Sequence, residues 1–240
     1  MSPPDRSPLG DAVGAVVVAA GRSLRLGQDK LFLKLAGRPV LAWSLSAFES
    51  CRAVLAVALV LNEANRDAGD RLVRAEGFAK VRAVCLGGAR RQDSVLAGLL
   101  ALGPQDWVAV HDGARPLVTP ELIERGLAAA RQTGAAIPGV RLKDTVKVVG
   151  EDGAVSETPD RSRLRAIQTP QVFRYDLLLE AYGRASAEVT DDAALLEALG
   201  RAVVVYPGEY DNVKITTSDD LAVAEALLRL RRGVGPGGEL

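Results

Sequence analysis

Ala15-Val16-Val17-Val18-Ala19-Ala20-Gly21-Arg22-Ser23-Leu24-Arg25-Leu26-Gly27 is a short valine-rich run that empties into a loop of small and cationic residues. Similar apolar runs return at Val54–Leu61, Val81–Leu86, Trp107–Val110 and Ala202–Tyr206, and the segments between them carry helical periodicity. With Ala15–Ala20 as the first strand, this alternation predicts an α/β fold in which consecutive strands lie parallel and helices cover both faces. Helix starts are visible at Thr119-Pro120-Glu121, at Thr190 before Asp191 and Asp192, and at Ser218 before Asp219 and Asp220. One stretch breaks the rhythm. Thr145–Val149 and Ala154–Glu157 are polar, β-prone and separated by Glu151-Asp152-Gly153, which predicts a hairpin arm over about 141–165. A lone hairpin is marginal in water, so a second subunit is a candidate surface for it to pack on.

The 240 residues suit one large domain, expected over 13–232, with loose Pro/Ser-rich and Gly-rich tails at 1–12 and 233–240. Thirty basic and thirty acidic residues cancel, so no global field draws the chain to nucleic acid or to an anionic membrane, and any bound anion must be met by local charge. The longest strongly apolar run, Val13–Ala20, is far too short for a membrane span and lacks signal-peptide flanks, which predicts a cytoplasmic protein. Cys51 and Cys85 lack partners at metal-ligand spacing and read as core residues rather than a disulfide or a zinc site.

Chemistry concentrates where strands end. In an open α/β sheet ligands bind beyond the carboxyl ends of strands. The loop Ala19-Ala20-Gly21 lets backbone N–H groups approach phosphate oxygens, and Arg25 and Lys30 add positive charge; a plain strand-to-helix connection would read the same. It is neither a P-loop, since no G-K-[ST] follows, nor a dinucleotide fingerprint, since Ser23 stands where the second Gly belongs. After the next strand tip comes Gly87-Gly88-Ala89-Arg90-Arg91-Gln92-Asp93-Ser94, where Gly88, Arg91 and Ser94 either contact a nucleotide or are a turn, a solvated cation and a helix cap. His111-Asp112-Gly113-Ala114-Arg115-Pro116 follows a third strand. Asp112 there suits Mg²⁺ or another divalent cation facing phosphates, and Asp211, in Asp211-Asn212-Val213-Lys214, is a plausible second carboxylate; each reads equally as a turn residue, and Lys214 as a surface lysine. His111, the only histidine, reads as a strand-end residue oriented by hydrogen bonds.

Together, Ala19-Ala20-Gly21…Arg25…Lys30, Gly87-Gly88…Arg91…Ser94, Asp112-Gly113-Ala114-Arg115-Pro116, Asp144-Thr145-Val146-Lys147, Thr169-Pro170-Gln171, Thr190-Asp191 and Asp211-Asn212-Val213-Lys214 resemble the 2-C-methyl-D-erythritol 4-phosphate cytidylyltransferases of the non-mevalonate isoprenoid route. The resemblance implies a Rossmann-like, mostly parallel sheet flanked by helices, with a β-hairpin arm that exchanges contacts across a homodimer. It assigns Ala19, Ala20, Gly21, Gly88, Arg91, Ser94 and Asp112 to the nucleotide CTP, Arg25 and Lys30 to charge on its phosphates, and Asp112 and Asp211 to the metal. Arg161 and Lys214 are placed on the acceptor phosphate, with Arg115, Thr145 and Thr190 beside them; Thr145 and Arg161 are expected from the partner's arm. Three other readings are a ribitol 5-phosphate cytidylyltransferase, a nucleotidyltransferase for another sugar phosphate or a pterin, and a catalytically silent CTP-binding regulator.

Overall fold

The computed structural model describes residues 11–21, 29–184, 189 and 191–233. In chain order the strands are β1 Val13–Ala19, β2 Lys34–Leu35, β3 Arg38–Pro39, β4 Val54–Leu61, β5 Val81–Leu86, β6 Trp107–Asp112, β7 Ala135–Arg141, β8 Val148–Val149, β9 Val155–Glu157, β10 Arg165–Ile167, β11 Gln171–Arg174 and β12 Val204–Pro207. The helices are α1 Val40–Ser50, α2 Arg66–Glu76, α3 Arg91–Leu102, α4 Pro120–Thr133, α5 Tyr175–Arg184, α6 Ala193–Ala198 and α7 Ser218–Arg231.

β1 runs parallel to β4 on one side and to β6 on the other, and β5 runs parallel along β4. Successive side chains of a strand point to opposite faces, and β1 obeys this: Val13, Ala15, Val17 and Ala19 enter one core while Val16 and Val18 enter the other. The first core is covered by Leu41 and Leu45 of α1, Leu72 of α2 and Leu122, Ile123 and Leu127 of α4. The second is covered by Val95 and Leu99 of α3, Leu178 of α5 and Leu195 and Leu196 of α6. Both faces of the strand are therefore buried, which is why it reads as a continuous apolar run. α3 lies so close that a Cβ on Gly98 would stand 2.4 Å from Val16 and 2.7 Å from Val60. Truncating a fully buried aromatic such as Phe48 or Phe173 costs about 3–5 kcal/mol in interiors of this kind.

The sheet is mostly parallel, as expected, and its other half carries the antiparallel strands. β11 is antiparallel to both β6 and β7, β10 is antiparallel to β7, and β12 returns parallel to β7. β7 carries Pro138 and Gly139, breakers that hide it from a pattern reading. Pro138 donates nothing to the ladder, yet its carbonyl still accepts from Gln168 N at 2.8 Å.

Strand bounds shift slightly from the expected ones: β1 starts two residues earlier, β6 extends to Asp112, and β12 is Val204–Pro207. Thr119 caps α4 as expected, its hydroxyl accepting from Leu122 N at 3.2 Å ahead of Pro120. The cap of α7 is Thr217 rather than Ser218, in a box with Asp220, a device worth about 1 kcal/mol. The arm hairpin is shorter than its sequence suggests, β8 and β9 flanking a turn in which Gly153 has φ +80°. Residues 145–147 lie outside the ladder, Thr145 and Lys147 exposed and Val146 half-buried, and the Lys147 ammonium bonds the Thr158 hydroxyl at 2.7 Å. Among the described residues no helix is long and apolar enough to cross a membrane.

Candidate active site

The carboxyl ends of β1, β4, β5 and β6 open into one cleft, lined by Ala19, Ala20, Gly21, Lys30, Asn62, Asn65, Gly87, Gly88, Arg91, Ser94, Asp112 and Lys214 among others. This is where parallel sheets place ligands, because the strands converge there on loops free to carry side chains of any kind.

Its floor is held by a network of amides. Asn62 and Asn65 each accept the other's backbone N–H, at 3.0 and 2.9 Å, forming a closed turn directly after β4. Their side-chain amides are then aimed back across the sheet, Asn62 Nδ2 to Ala20 O at 3.2 Å and Asn65 Nδ2 to Ala19 O at 3.0 Å. Asn65 Nδ2 also bonds Asp29 Oδ2 at 2.8 Å, while Asp29 Oδ1 accepts from Leu31 N at 3.1 Å. Asp29 thus fixes the turn that presents Lys30 to the cleft. The Asn62/Asn65 pair was not singled out in the sequence; its signal is two Asn spaced by three residues between a strand and a helix, the setting of Asx turns.

Gly87 and Gly88 are small for a packing reason. A Cβ on Gly87 would meet Ser94 Oγ at 2.5 Å, and one on Gly88 would meet Asp93 Cβ at 2.4 Å. The loop therefore lies flat on the start of α3. Arg90, not Ser94, occupies the cap position of that helix; the buried Ser94 hydroxyl donates back to Arg90 O at 3.2 Å and faces the cleft.

At the tip of β6, Asp112 sits among three cations. Lys214 Nζ is 2.7 Å from Oδ2, Arg91 Nε 3.4 Å from Oδ1, and Arg115 Nε 4.0 Å from Oδ2. Burial alone would raise the carboxyl, but Arg91, Lys214 and Arg115 outweigh it and hold it well below the usual carboxylate range, so it is ionised. Next to it, burial depresses His111 to about 3, leaving a neutral imidazole. Its Nε2 faces Arg115 O at 3.2 Å and its Nδ1 faces Thr169 Oγ1 at 3.1 Å, while that same hydroxyl accepts from Asp112 N at 3.0 Å. The Arg115 carbonyl can only accept, so the ring proton sits on Nε2 and the bare Nδ1 accepts from the Thr169 hydroxyl. His111 is thereby a strut that fixes Asp112.

Arg91 is shared. Its Nη1 bonds Asp192 Oδ2 at 2.8 Å, and the other oxygen of Asp192 accepts from the Tyr182 hydroxyl. Burial works against the Arg91 charge, and Asp192 and Asp112 more than offset it. Burial likewise pushes the Asp192 carboxyl up, against the pull of Arg91 and Tyr182. The arginine itself does not deprotonate, and it and the Tyr182 hydroxyl each donate to one oxygen of Asp192, the arrangement that favours a carboxylate there.

The family model for IspD, 2-C-methyl-D-erythritol 4-phosphate cytidylyltransferase, matches residues 13–230. The chain belongs to this family. A Dehalococcoides mccartyi relative named 2-C-methyl-D-erythritol 4-phosphate cytidylyltransferase is 49% identical, the match covering 93% of this chain and 99% of that protein. One from Pelotomaculum thermopropionicum with the same name is 47% identical over 93% of this chain and 97% of its own length. The crystal structure of 4-diphosphocytidyl-2C-methyl-D-erythritol synthase from Anaerococcus prevotii superposes with a TM-score of 0.81 at 32% identity, covering 91% of this chain and 96% of that one. That of the Thermus thermophilus cytidylyltransferase gives 0.74 at 36%, covering 89% and 98%.

Of the residues expected from the IspD resemblance, the structure gathers Ala19, Ala20, Gly21, Lys30, Gly88, Arg91, Ser94, Asp112 and Lys214 in the cleft. Arg25 and Thr190 lie outside the described residues. Two expected residues stand elsewhere. Asp211 is not in the cleft lining; its carboxylate is held by Arg231, with Nε 2.9 Å and Nη2 2.7 Å away. Arg115 is also absent from the lining: its buried guanidinium bonds Asn212 O at 2.8 Å and flanks Asp112, tying the loop that carries Lys214 to the β6 tip. Thr145 and Arg161 stand exposed on the arm, Arg161 Nη1 bonding Lys143 O at 2.6 Å, and neither lines its own chain's cleft.

Proposed function

We propose that this chain transfers CMP from CTP to 2-C-methyl-D-erythritol 4-phosphate, giving 4-diphosphocytidyl-2-C-methyl-D-erythritol and pyrophosphate in non-mevalonate isoprenoid biosynthesis. The observation that carries the reading is the convergence of Lys30, Arg91, Lys214 and Asp112 in one cleft at four strand ends, in a chain that shares a family with enzymes of that name. An oxygen of the acceptor phosphate attacks the α-phosphorus of CTP. The new P–O bond forms as the bond from that phosphorus to the bridging oxygen of the β-phosphate breaks, and pyrophosphate departs with the electron pair. Both reactants are anions, so the barrier is lowered by holding them in line and by fixed positive charge, without a covalent enzyme intermediate. In this reading Lys30 and Arg91 serve the triphosphate, Lys214 the acceptor phosphate, and the amide-braced loop Ala19–Gly21 the nucleotide.

The reading includes a divalent cation, Mg²⁺ by preference, held by Asp112 together with nucleotide phosphate oxygens. The donor fits: an ionised hard-oxygen carboxylate at a strand tip in the cleft suffices for a metal that takes one or two carboxylates plus phosphates. Among the described residues no cluster of three or more His, Cys, Asp or Glu offers an all-protein cage. When bound, the metal would neutralise charge on the triphosphate. The reading also includes a cytoplasmic homodimer joined through the arm, in which Thr145 and Arg161 reach the partner's cleft; exposed Val148, Val149 and Val155 give the arm apolar surface to bury.

The test is pyrophosphate release with CTP, Mg²⁺ and methylerythritol phosphate, run beside ATP, GTP and UTP and beside ribitol 5-phosphate. Release with CTP and methylerythritol phosphate at least tenfold faster than any other pairing is expected. No release, or a faster reaction with another nucleotide or acceptor, overturns the assignment.

A further inference from the structure

Asp192 is almost completely buried, with its side chain 1% exposed, yet it is no part of the cleft lining. A carboxylate removed from water is costly unless fully engaged. Both oxygens are engaged, one by the Tyr182 hydroxyl of α5 and one by Arg91 Nη1 at 2.8 Å. The same guanidinium has a second carboxylate within reach, Asp112, and there the approach is loose: Nε to Oδ1 is 3.4 Å. A guanidinium beside an ionised carboxylate ordinarily closes to a two-pronged pair with N–O distances of about 2.7–2.9 Å. Here the prongs are divided, and the short one goes to the buried acid. Asp112 Oδ2 is taken by Lys214 at 2.7 Å, so Oδ1 is the oxygen the loose contact leaves able to accept another partner.

We infer that Asp192, locked by Tyr182, is a positioning residue that holds the Arg91 guanidinium back from Asp112 and so keeps Oδ1 open for the divalent cation. The inference rests on Asp112 as the metal ligand. Without Asp192, Arg91 closes onto Asp112, one carboxylate then serves two cations through both oxygens, and metal affinity falls while the cleft keeps its shape.

The experiment measures bound Mn²⁺ by electron paramagnetic resonance in the complex with a non-hydrolysable CTP analogue, and Mg²⁺ half-saturation in turnover, for Asp192→Asn, Tyr182→Phe and Asp112→Asn. Asp192→Asn should raise the Mn²⁺ dissociation constant and the Mg²⁺ half-saturation about tenfold, with turnover at saturating metal kept within about threefold. Tyr182→Phe, which keeps the ion pair and loses only its lock, should shift both about two- to threefold in the same direction, and it carries the test should the Asn variant not fold. Mn²⁺ affinity unchanged within twofold in both variants, with only thermal stability reduced, makes Asp192 a packing anchor and overturns the inference. Unchanged Mn²⁺ affinity in Asp112→Asn instead overturns the metal reading beneath it, and the two failures are told apart by which variant is silent.

Discussion

Asp112 and Asp211 lie at or a few residues past the carboxyl end of a strand of the same sheet, and both have cations close in sequence, so they read alike as metal ligands. The folded chain separates them by their partners. Asp112 ends β6 in the middle of the sheet, where Arg91, Lys214 and Arg115 reach it from three different segments and its side chain is 12% exposed. Asp211 follows β12 at the margin, is 34% exposed, and meets Arg231 from the end of α7, which also bonds Leu117 O at 2.7 Å. A carboxylate becomes a site when charges converge on it from distant parts of the chain at a strand tip. One that meets a single cation on the surface is a clip between a loop and a helix.

The largest break in that comparison is expected from Asp112→Asn. It removes the cleft carboxylate that touches Arg91 and Lys214 together, and turnover should fall on the order of a hundredfold or more, about 3 kcal/mol of transition-state stabilisation. Lys30→Ala, which removes a second cleft cation, should cost a similar factor. Steady-state pyrophosphate release, with circular dichroism to confirm folding, checks both; turnover within threefold of the parent in either variant removes that residue from the machinery.

A smaller effect sharpens the same contrast through pH. The β6 tip depends on a buried neutral histidine, whereas the Asp211 clip has none. Burial places His111 at about 3 in the folded chain against its ordinary 6.5, so the unfolded chain binds the extra proton first. The contribution of the neutral ring is fully present above pH 6.5 and is lost as pH falls toward 3, at about 1.4 kcal/mol per pH unit. Urea unfolding at pH 7.5, 6.5, 5.5 and 4.5 should show this slope in the parent, and His111→Asn should lose it. Parallel pH profiles for the two proteins would mean that His111 is not held neutral by the fold.

What the sequence could reveal follows the range of the forces involved. β1, β4 and β5 were legible because burial on both faces leaves an uninterrupted valine-rich signal, and the loops after them were legible because strand tips in such sheets carry function. β7 was hidden by Pro138 and Gly139, and β10 and β11 were too short to show a period; as a result the antiparallel insertion between β6 and β7 was missed. Within the site, residues that touch the cleft stood out by type, while those that aim them did not. Asn62 and Asn65 brace Ala19, Ala20 and Asp29 from about forty residues away, and Asp192 grips Arg91 from about a hundred. Such pairings are fixed by tertiary packing alone. The Arg231 partner of Asp211 is hidden for the same reason, since it lies at the far end of a later helix.

The smallest effect is expected from Asp211→Asn. Exposed ion pairs contribute about 0–1 kcal/mol, since water and salt screen them and both side chains lose freedom in pairing. Removing the charge also leaves other ties in place: Arg231 keeps Leu117 O, Glu209 is within 3.6 Å of Arg231, and Arg115 still holds Asn212 O. The Lys214 loop therefore keeps its anchor at the β6 tip, and turnover should stay within about twofold, with the metal half-saturation unmoved. Thermal melting should drop by no more than about 4 °C for a domain of this size. Mg²⁺ titration of turnover decides the matter: a tenfold rise in half-saturation for Asp211→Asn would place that carboxylate back beside the metal and erase the distinction between the central strand tip and the marginal loop.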